Sequence, residues 1–340
     1  MDTITGSRDI FLMNMLSKTG YYFNESFLGH ELEPGHPESA DRLIAIDKQI
    51  RNSEAFARFK TATATFIPKA HIPLISNVHT VEHINEVLSI PTTGRAAGDA
   101  VASVIAAVDA VFSGECANAF CAVRPPGHHS YNNAHRDGIN QGQGFCFFNN
   151  VAIAARYAQQ KHHLKKILIV DWDFHHGNGT ESYFFEDASV YYFSTHRFGT
   201  YPGTGLPTRT GSGQGEGYTF NYPLPKPGYP FDPVNDTDFL SALSLIDGCL
   251  EKVLFSPDFI FISAGFDGLY NDPLGNFSLS ESVFHSATTL IMELADRFCS
   301  GHIVSVLEGG YHPESLALAV DAHMKALARF PLSTIENEQQ

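Results

Sequence analysis

Ile167-Leu168-Ile169-Val170-Asp171-Trp172-Asp173-Phe174-His175-His176-Gly177-Asn178 is the stretch on which the reading of this 340-residue chain turns. Its first four residues are all branched and apolar, the pattern of a strand covered on both faces in a parallel sheet. Side chains alternate across a strand, so Asp171, Asp173 and His175 share one side while Trp172 and Phe174 take the other. Three polar groups thus converge at a strand's carboxyl end, where open α/β sheets bind their ligands. Buried as plain core residues, each would need its own hydrogen-bond partners, because an unpaired carboxylate in an apolar interior is prohibitive.

Outward from this stretch, apolar runs at residues 120–123, 190–193, 259–262 and 303–307 also read as strands. Most alternate with helical stripes, at about 99–112, 149–160, 238–254, 280–300 and 314–328. The clearest places Val283, Ala287, Leu290, Ile291, Leu294 and Phe298 on one face and ends at Gly301. Alternation of strands and helices predicts βαβ units, hence an α/β fold with a central, mostly parallel sheet flanked by helices. No linker or internal repeat interrupts it, so the expectation is one domain over residues 1–340 with a polar tail from about 332. The glycine-rich run Gly211-Ser212-Gly213-Gln214-Gly215-Glu216-Gly217 superficially matches a phosphate loop. It leads into Tyr218-Thr219-Phe220-Asn221-Tyr222, a strand-like run, rather than opening a helix, and reads as a connector.

Hydrophobic residues make up 43% and charged residues 17% of the chain, enough for a sizeable core and against disorder or a coiled coil. A net charge of -15 disfavours binding to a phosphate backbone and tolerates cationic partners. Five cysteines, an odd number without a C-x-x-C pair, argue against a disulfide framework. The run at residues 11–16 is too short for a signal-peptide core or a membrane span. The expectation is a soluble, cytoplasmic protein without nucleic-acid or membrane partners; homo-oligomerisation is left open.

The residues also carry chemistry. A catalytic zinc-type site needs about three protein ligands and an open position for water. Asp173 and His175 supply two, and Asp267, which follows the buried-strand pattern of residues 259–266, is the third candidate. Proton transfer needs a base and an acid. His128 and His129, presented by Arg124-Pro125-Pro126-Gly127, are the candidates, with Asp171 and Asn178 as orienting acceptors. An Asp partner raises an imidazole's basicity more than an Asn partner, which would split the two histidine roles. A donor for a developing oxyanion is also needed, and Tyr311, in Glu308-Gly309-Gly310-Tyr311 after the 303–307 strand, is the choice.

Taken in order, R-P-P-G-H-H, G-F-C-F-F-N-N, D-W-D-F-H-H-G-N-G-T, S-A-G-F-D and E-G-G-Y resemble the histone deacetylase superfamily, with Trp172 and Asn178 similar to its class II branch. The resemblance runs from His36-Pro37-Glu38-Ser39-Ala40-Asp41-Arg42-Leu43 to Tyr311. It implies the arginase-like three-layer fold of zinc-dependent deacetylases and acetylpolyamine amidohydrolases. It also implies one Zn2+ (Fe2+ or another divalent metal being the alternatives in cells) on Asp173, His175 and Asp267. His129 becomes the main general base and acid, with His128 as its electrostatic partner. Asp171 orients His128, Asn178 orients His129, and Tyr311 polarises the acetyl carbonyl. Gly144, Phe145, Tyr201 and Leu274 match the acyl-lysine channel and its rim, although the family usually carries Phe at the place of Tyr201. Up to two K+ ions are implied, one on Asp171, Asp173, His175, Ser194 and Thr195, the other on Phe184, Asp187, Val190 and Tyr218.

Two departures fall at the expected channel mouth. The 130–143 loop is longer than in most relatives, and the 89–98 stretch, read as a loop, lacks a clear acidic clamp for a peptide backbone. The leading expectation is removal of acetyl or other acyl groups from the side-chain amine of acetyl-lysine in proteins or peptides. The rivals are deacetylation of acetylpolyamines or other small amides, and a silent module that binds acyl-lysine without turnover.

Overall fold

Residues 167–170 are fully buried because neighbours cover them on every side. They open β4 (Ile167–Asp171), which pairs in parallel with β5 (Val190–Arg197) and β7 (Phe259–Ala264). The computed structural model describes residues 18–131, 143–225 and 232–332. Within them β1 (Thr19–Tyr22), β2 (Phe59–Ala62), β3 (Asn118–Cys121), β6 (Thr219–Leu224) and β8 (Ile303–Leu307) complete a single sheet. Its order is β2-β1-β3-β8-β7-β4-β5-β6 and every pairing is parallel.

Strand alternation divides the core in two. Leu168, Val170, Ile260 and Ile262 face one helical layer, whereas Ile167, Ile169, Phe259 and Phe261 face the other. The first layer holds α1 (Ala40–Arg51), α7 (Asp236–Leu243), α8 (Ile246–Lys252), α9 (Val283–Cys299) and α10 (Pro313–Leu327). The second holds α2 (Pro68–Ile75), α3 (Val81–Ser89), α4 (Thr93–Phe112) and α5 (Asn150–His162), with α6 (Asn178–Phe184) adding Phe184 at its edge. This is the three-layer α/β fold expected, with helices on both faces because a parallel sheet leaves neither face to water. Trp172 and Phe174 pack into the first layer, on the side opposite Asp173.

Some boundaries differ from the sequence reading. The 89–98 stretch is not a mouth loop: only residues 90–92 separate α3 from α4, and Thr93, Gly94 and Ala96 to Gly98 are buried in the first turns of α4. The small residues that looked like loop punctuation serve close packing. A Cβ on Gly94 would lie 2.7 Å from the Val87 carbonyl, and one on Gly98 2.7 Å from the Phe66 ring. The 238–254 stripe is two helices, broken at Ser244-Leu245, which lets Leu243 and Ile246 both reach the core while Leu245 stays outside. The 211–217 run forms a short 3-10 turn and leads into β6. Most of the 130–143 loop and of the tail from 332 lie outside the described residues.

Candidate active site

Because every strand of the sheet points the same way, the carboxyl ends of β3, β4, β7 and β8 deliver their following residues to one edge. His128 and His129 follow β3, Asp173 and His175 follow β4, Asp267 follows β7, and Tyr311 follows β8. One ligand atom each from Asp173, His175 and Asp267 lies within 4.8 Å of the others. Backbone amides aim the carboxylates. Asp173 accepts from the Gly309 and His175 N–H groups at 2.8 Å each, and Asp267 Oδ1 accepts from Phe174 N–H at 2.9 Å. His175 Nδ1 sits 2.8 Å from Asp267 Oδ2.

Two fully buried carboxylates this close resist sharing the same charge state. Burial disfavours the charged form of Asp173, but the charges of His128 and His175 override it and hold this carboxyl well below the usual range. Burial and the Asp173 charge push Asp267 up to about 7. A divalent cation among two carboxylates and an imidazole relieves that conflict, and an Asp/His/Asp set suits zinc. The donor set therefore fits the metal implied by the sequence. A second grouping, His128, Cys146 and Glu308, is close enough to hold an ion. There, however, Glu308 already accepts from the Gly127 and His128 N–H groups and the Ser263 hydroxyl, at 2.7, 3.1 and 3.0 Å.

The tandem histidines are differentiated by their partners. His128 Nδ1 lies 3.1 Å from Asp171 Oδ2, and His129 Nδ1 lies 2.7 Å from Asn178 Oδ1. Burial opposes a charge on His128, yet Asp173, Asp171 and Glu308 together push it up to about 10. Burial and the neighbouring His128 and His175 charges press His129 well below the ordinary histidine value. His129 is thus the neutral imidazole of the pair. With Nδ1–H directed to Asn178, its Nε2 carries the free lone pair.

His129, Gly144, Phe145, His175, Tyr201, Leu274 and Tyr311 line one cavity of about 520 Å³. Its walls are aromatic. Phe145 packs edge-on against Tyr311 with ring centroids 5.9 Å apart, and Tyr201 against His129 at 5.1 Å. Gly144 permits the narrowness: its φ is +51°, and a Cβ there would stand 2.4 Å from His129 Cδ2. Leu274 sits at the rim, 39% exposed. Burial keeps the Tyr311 phenol well above its ordinary pKa, so its hydroxyl retains its proton.

The residues expected to hold monovalent cations fall into two groups. Asp171 and Ser194 are directly paired across β4 and β5, with Asp173, His175 and Thr195 just beyond. Phe184 ends α6, Val190 opens β5 and Asp187 lies between them, and the Tyr218 carbonyl meets the Tyr192 N–H at 2.9 Å.

Sequence reasoning did not assign the supports beneath this cavity. Glu38, fully buried, binds Arg124 Nε at 2.7 Å and Arg42 Nη1 at 2.9 Å, and Arg42 continues to the Glu308 and Gly310 carbonyls. The Arg42 guanidinium lies 5.0 Å from the Tyr311 ring centroid. Asp272 joins the rim to the Tyr311 backbone, accepting from the Tyr311 N–H at 2.6 Å and the Leu274 N–H at 2.9 Å. Glu38, Arg42, Arg124 and Glu308 all stand inside the motifs quoted above, and that adjacency was the available signal.

Residues 36–327 match the family model described as the histone deacetylase domain. The chain is 35% identical over 339 residues to a probable deacetylase of Archaeoglobus fulgidus, covering 94% of this chain and 89% of that one. It is 36% identical over 336 residues to histone deacetylase 14, chloroplastic, of Arabidopsis thaliana, covering 90% of this chain and 76% of that one. The crystal structure of the HDA15 HD domain superposes with a TM-score of 0.81 at 34% identity, over 92% of this chain and 89% of that chain. With a three-layer parallel fold, an Asp/His/Asp cluster and tandem histidines at one sheet edge, this chain belongs to the histone deacetylase family.

Proposed function

We propose that the protein is a zinc-dependent deacetylase that hydrolyses the side-chain amide of acetyl-lysine in proteins or peptides. The observation that carries this reading is the cavity itself, where the neutral imidazole of His129, the phenol of Tyr311 and His175 of the Asp/His/Asp cluster line one space between aromatic walls. Asp173, His175 and Asp267 would hold the metal, which supplies Lewis-acid polarisation of the amide carbonyl and lowers the pKa of water. His129 Nε2 takes a proton from the attacking water and returns it to the departing amine. His128, charged and held by Asp171, stabilises the negative charge that develops beside it. Tyr311 Oη donates to the carbonyl oxygen as it becomes an oxyanion. Phe145 and Tyr201 sheath the aliphatic stem of the lysine and exclude water, a narrow apolar passage suited to a chain with its charge removed.

Leu274 at the rim favours a peptide over a polyamine, since it offers no carboxylate to a distal ammonium. Potassium-type cations on the two groups of mostly carbonyl ligands remain part of the proposal. The five cysteines are all buried and unpaired, which supports the reducing, cytoplasmic setting. No helix among the described residues is long and apolar enough to cross a membrane.

Zinc stoichiometry measured alongside turnover of acetyl-lysine peptides and acetylpolyamines tests the reading. Hydrolysis that tracks metal content supports it. A fully loaded protein that binds acetyl-lysine peptide without turnover would establish the binding-module alternative.

A further inference from the structure

Glu181 is a buried carboxylate that the chemistry above does not use. It lies in α6, the helix whose first residue is Asn178, is 2% exposed and does not line the cavity. Its Oε1 accepts from Arg209 Nε and its Oε2 from Asn221 Nδ2, each at 2.6 Å, and Oε2 lies 3.1 Å from His176 Nε2. Burial opposes its charge, but His176, Asn221 and Arg209 override that and hold the carboxyl below the usual range. Burying a charge is a poor way to gain stability, since an apolar group of similar volume serves as well or better. Here only the carboxylate is buried, its cationic partner Arg209 being half exposed, and the partners point to a role in conformational specificity.

Arg209 belongs to the stretch of residues 198–212 that follows β5 and carries Tyr201. This stretch is tied to the elements around the site at several points, among them the packing of Tyr201 on His129 and the Ser212 N–H bond to the Phe185 carbonyl. Thr204 Oγ1 lies 2.7 Å from His176 Nδ1, and the Gly205 carbonyl lies 3.0 Å from His196 Nε2. The Arg209 guanidinium binds Glu181 and covers the Phe185 ring, 4.3 Å from its centroid. Glu181 contacts both Arg209 and His176, so a single carboxylate reaches two of these attachments. The helix that holds it also presents Asn178 to His129.

We propose that Glu181 is a positioning residue that latches the 198–212 stretch, and with it Tyr201, to the helix orienting His129, and so sets the channel wall. The proposal rests on the deacetylase reading only where it concerns catalysis. The latch itself is a property of the fold.

Glu181→Gln keeps the size of the side chain but sets an amide donor against Arg209 or Asn221. Amide hydrogen exchange on the protein as purified, at equal metal content in wild type and variant, should show residues 198–210 exchanging about tenfold faster, with β4 unchanged. For acetyl-lysine peptides KM should rise about tenfold while kcat stays within about threefold, the sign of lost uniform binding. In a Tyr201→Ala background the same substitution should change KM less than about twofold, because two changes acting through one wall do not add. Should Glu181→Gln fail to fold, Arg209→Gln gives the same readouts from the half-exposed side of the pair. Unchanged exchange in 198–210, or a KM effect that persists in full without Tyr201, overturns the latch. If the wild-type protein hydrolyses no acyl-lysine, the deacetylase reading fails while the exchange measurement still decides the latch.

Discussion

Tyr311→Phe is the sharpest single test of the proposed chemistry, because the structure isolates what the substitution removes. The Tyr311 backbone N–H is held by Asp272 at 2.6 Å, and its ring is bracketed by Phe145 and by the Arg42 guanidinium 5.0 Å away. Phenylalanine keeps the ring, these contacts and the cavity wall. Only the hydroxyl is lost, and burial keeps that hydroxyl protonated and able to donate. Deleting one oxyanion donor costs about 2.7–4 kcal/mol, or about a hundred- to a thousandfold in kcat. KM, zinc content and melting temperature should stay near wild type, because the donor acts on a charge that exists only in the transition state. Stopped assays on acetyl-lysine peptide, with metal analysis of the same preparations, measure this. Turnover within a few fold of wild type at full metal content would refute the assignment and place the donor elsewhere.

Asp267→Ala should abolish stoichiometric zinc binding and hydrolysis together, since it removes one of three ligands and its charge; full metal content with near-wild-type activity excludes Asp267 from the metal. Leu274→Glu should shift the ratio of kcat/KM values toward acetylspermidine, whereas a wild-type preference for acetylspermidine by about tenfold or more contradicts the peptide reading. His323, buried between Thr288 and Ser305, is pushed by burial down to about 3. The unfolded chain then binds more protons between about pH 6.5 and 3, so this residue's contribution is complete above that window and is lost as pH falls through it. The unfolding free energy from denaturant titrations should fall from pH 7 to pH 4, by up to about 3 kcal/mol from this residue, and His323→Gln should flatten that fall. An unaltered slope in the variant sinks the assignment.

Much of the candidate site was legible because its residues ride on local patterns. A D-x-D-x-H run follows an apolar strand, and although β4 ends at Asp171 the alternation carries on, with Trp172 and Phe174 in the core and Asp173 and His175 on the other side. Tandem histidines after a Pro-Pro-Gly turn, and a tyrosine after Gly-Gly, follow strands that hydrophobicity also identifies. Elements lacking such a pattern were missed. β1 is only four residues with a glycine inside, β2 is half exposed, and α4 begins six residues before its apolar stripe. α1 went unread although Leu43, Ile46 and Ile50 are fully buried.

The chain alone determined the residue types, their order and the sheet edge to which they belong, since side-chain spacing along a strand follows from covalent geometry and the alternation of strands with helices returns successive strands in the same direction. Resemblance paired Asp171 with His128 and Asn178 with His129, and the fold brings those side chains within 3.1 and 2.7 Å. Only the tertiary structure decided what holds them there. Glu38 reaches Arg124 across 86 positions, Arg42 reaches Gly310 across 268, and Asp272 reaches Tyr311 across 39. Residues that far apart are brought together by the sheet and its connections, not by local spacing. The physical reason is that a buried charge is defined by its partners, and no local period records which distant partner will neutralise it.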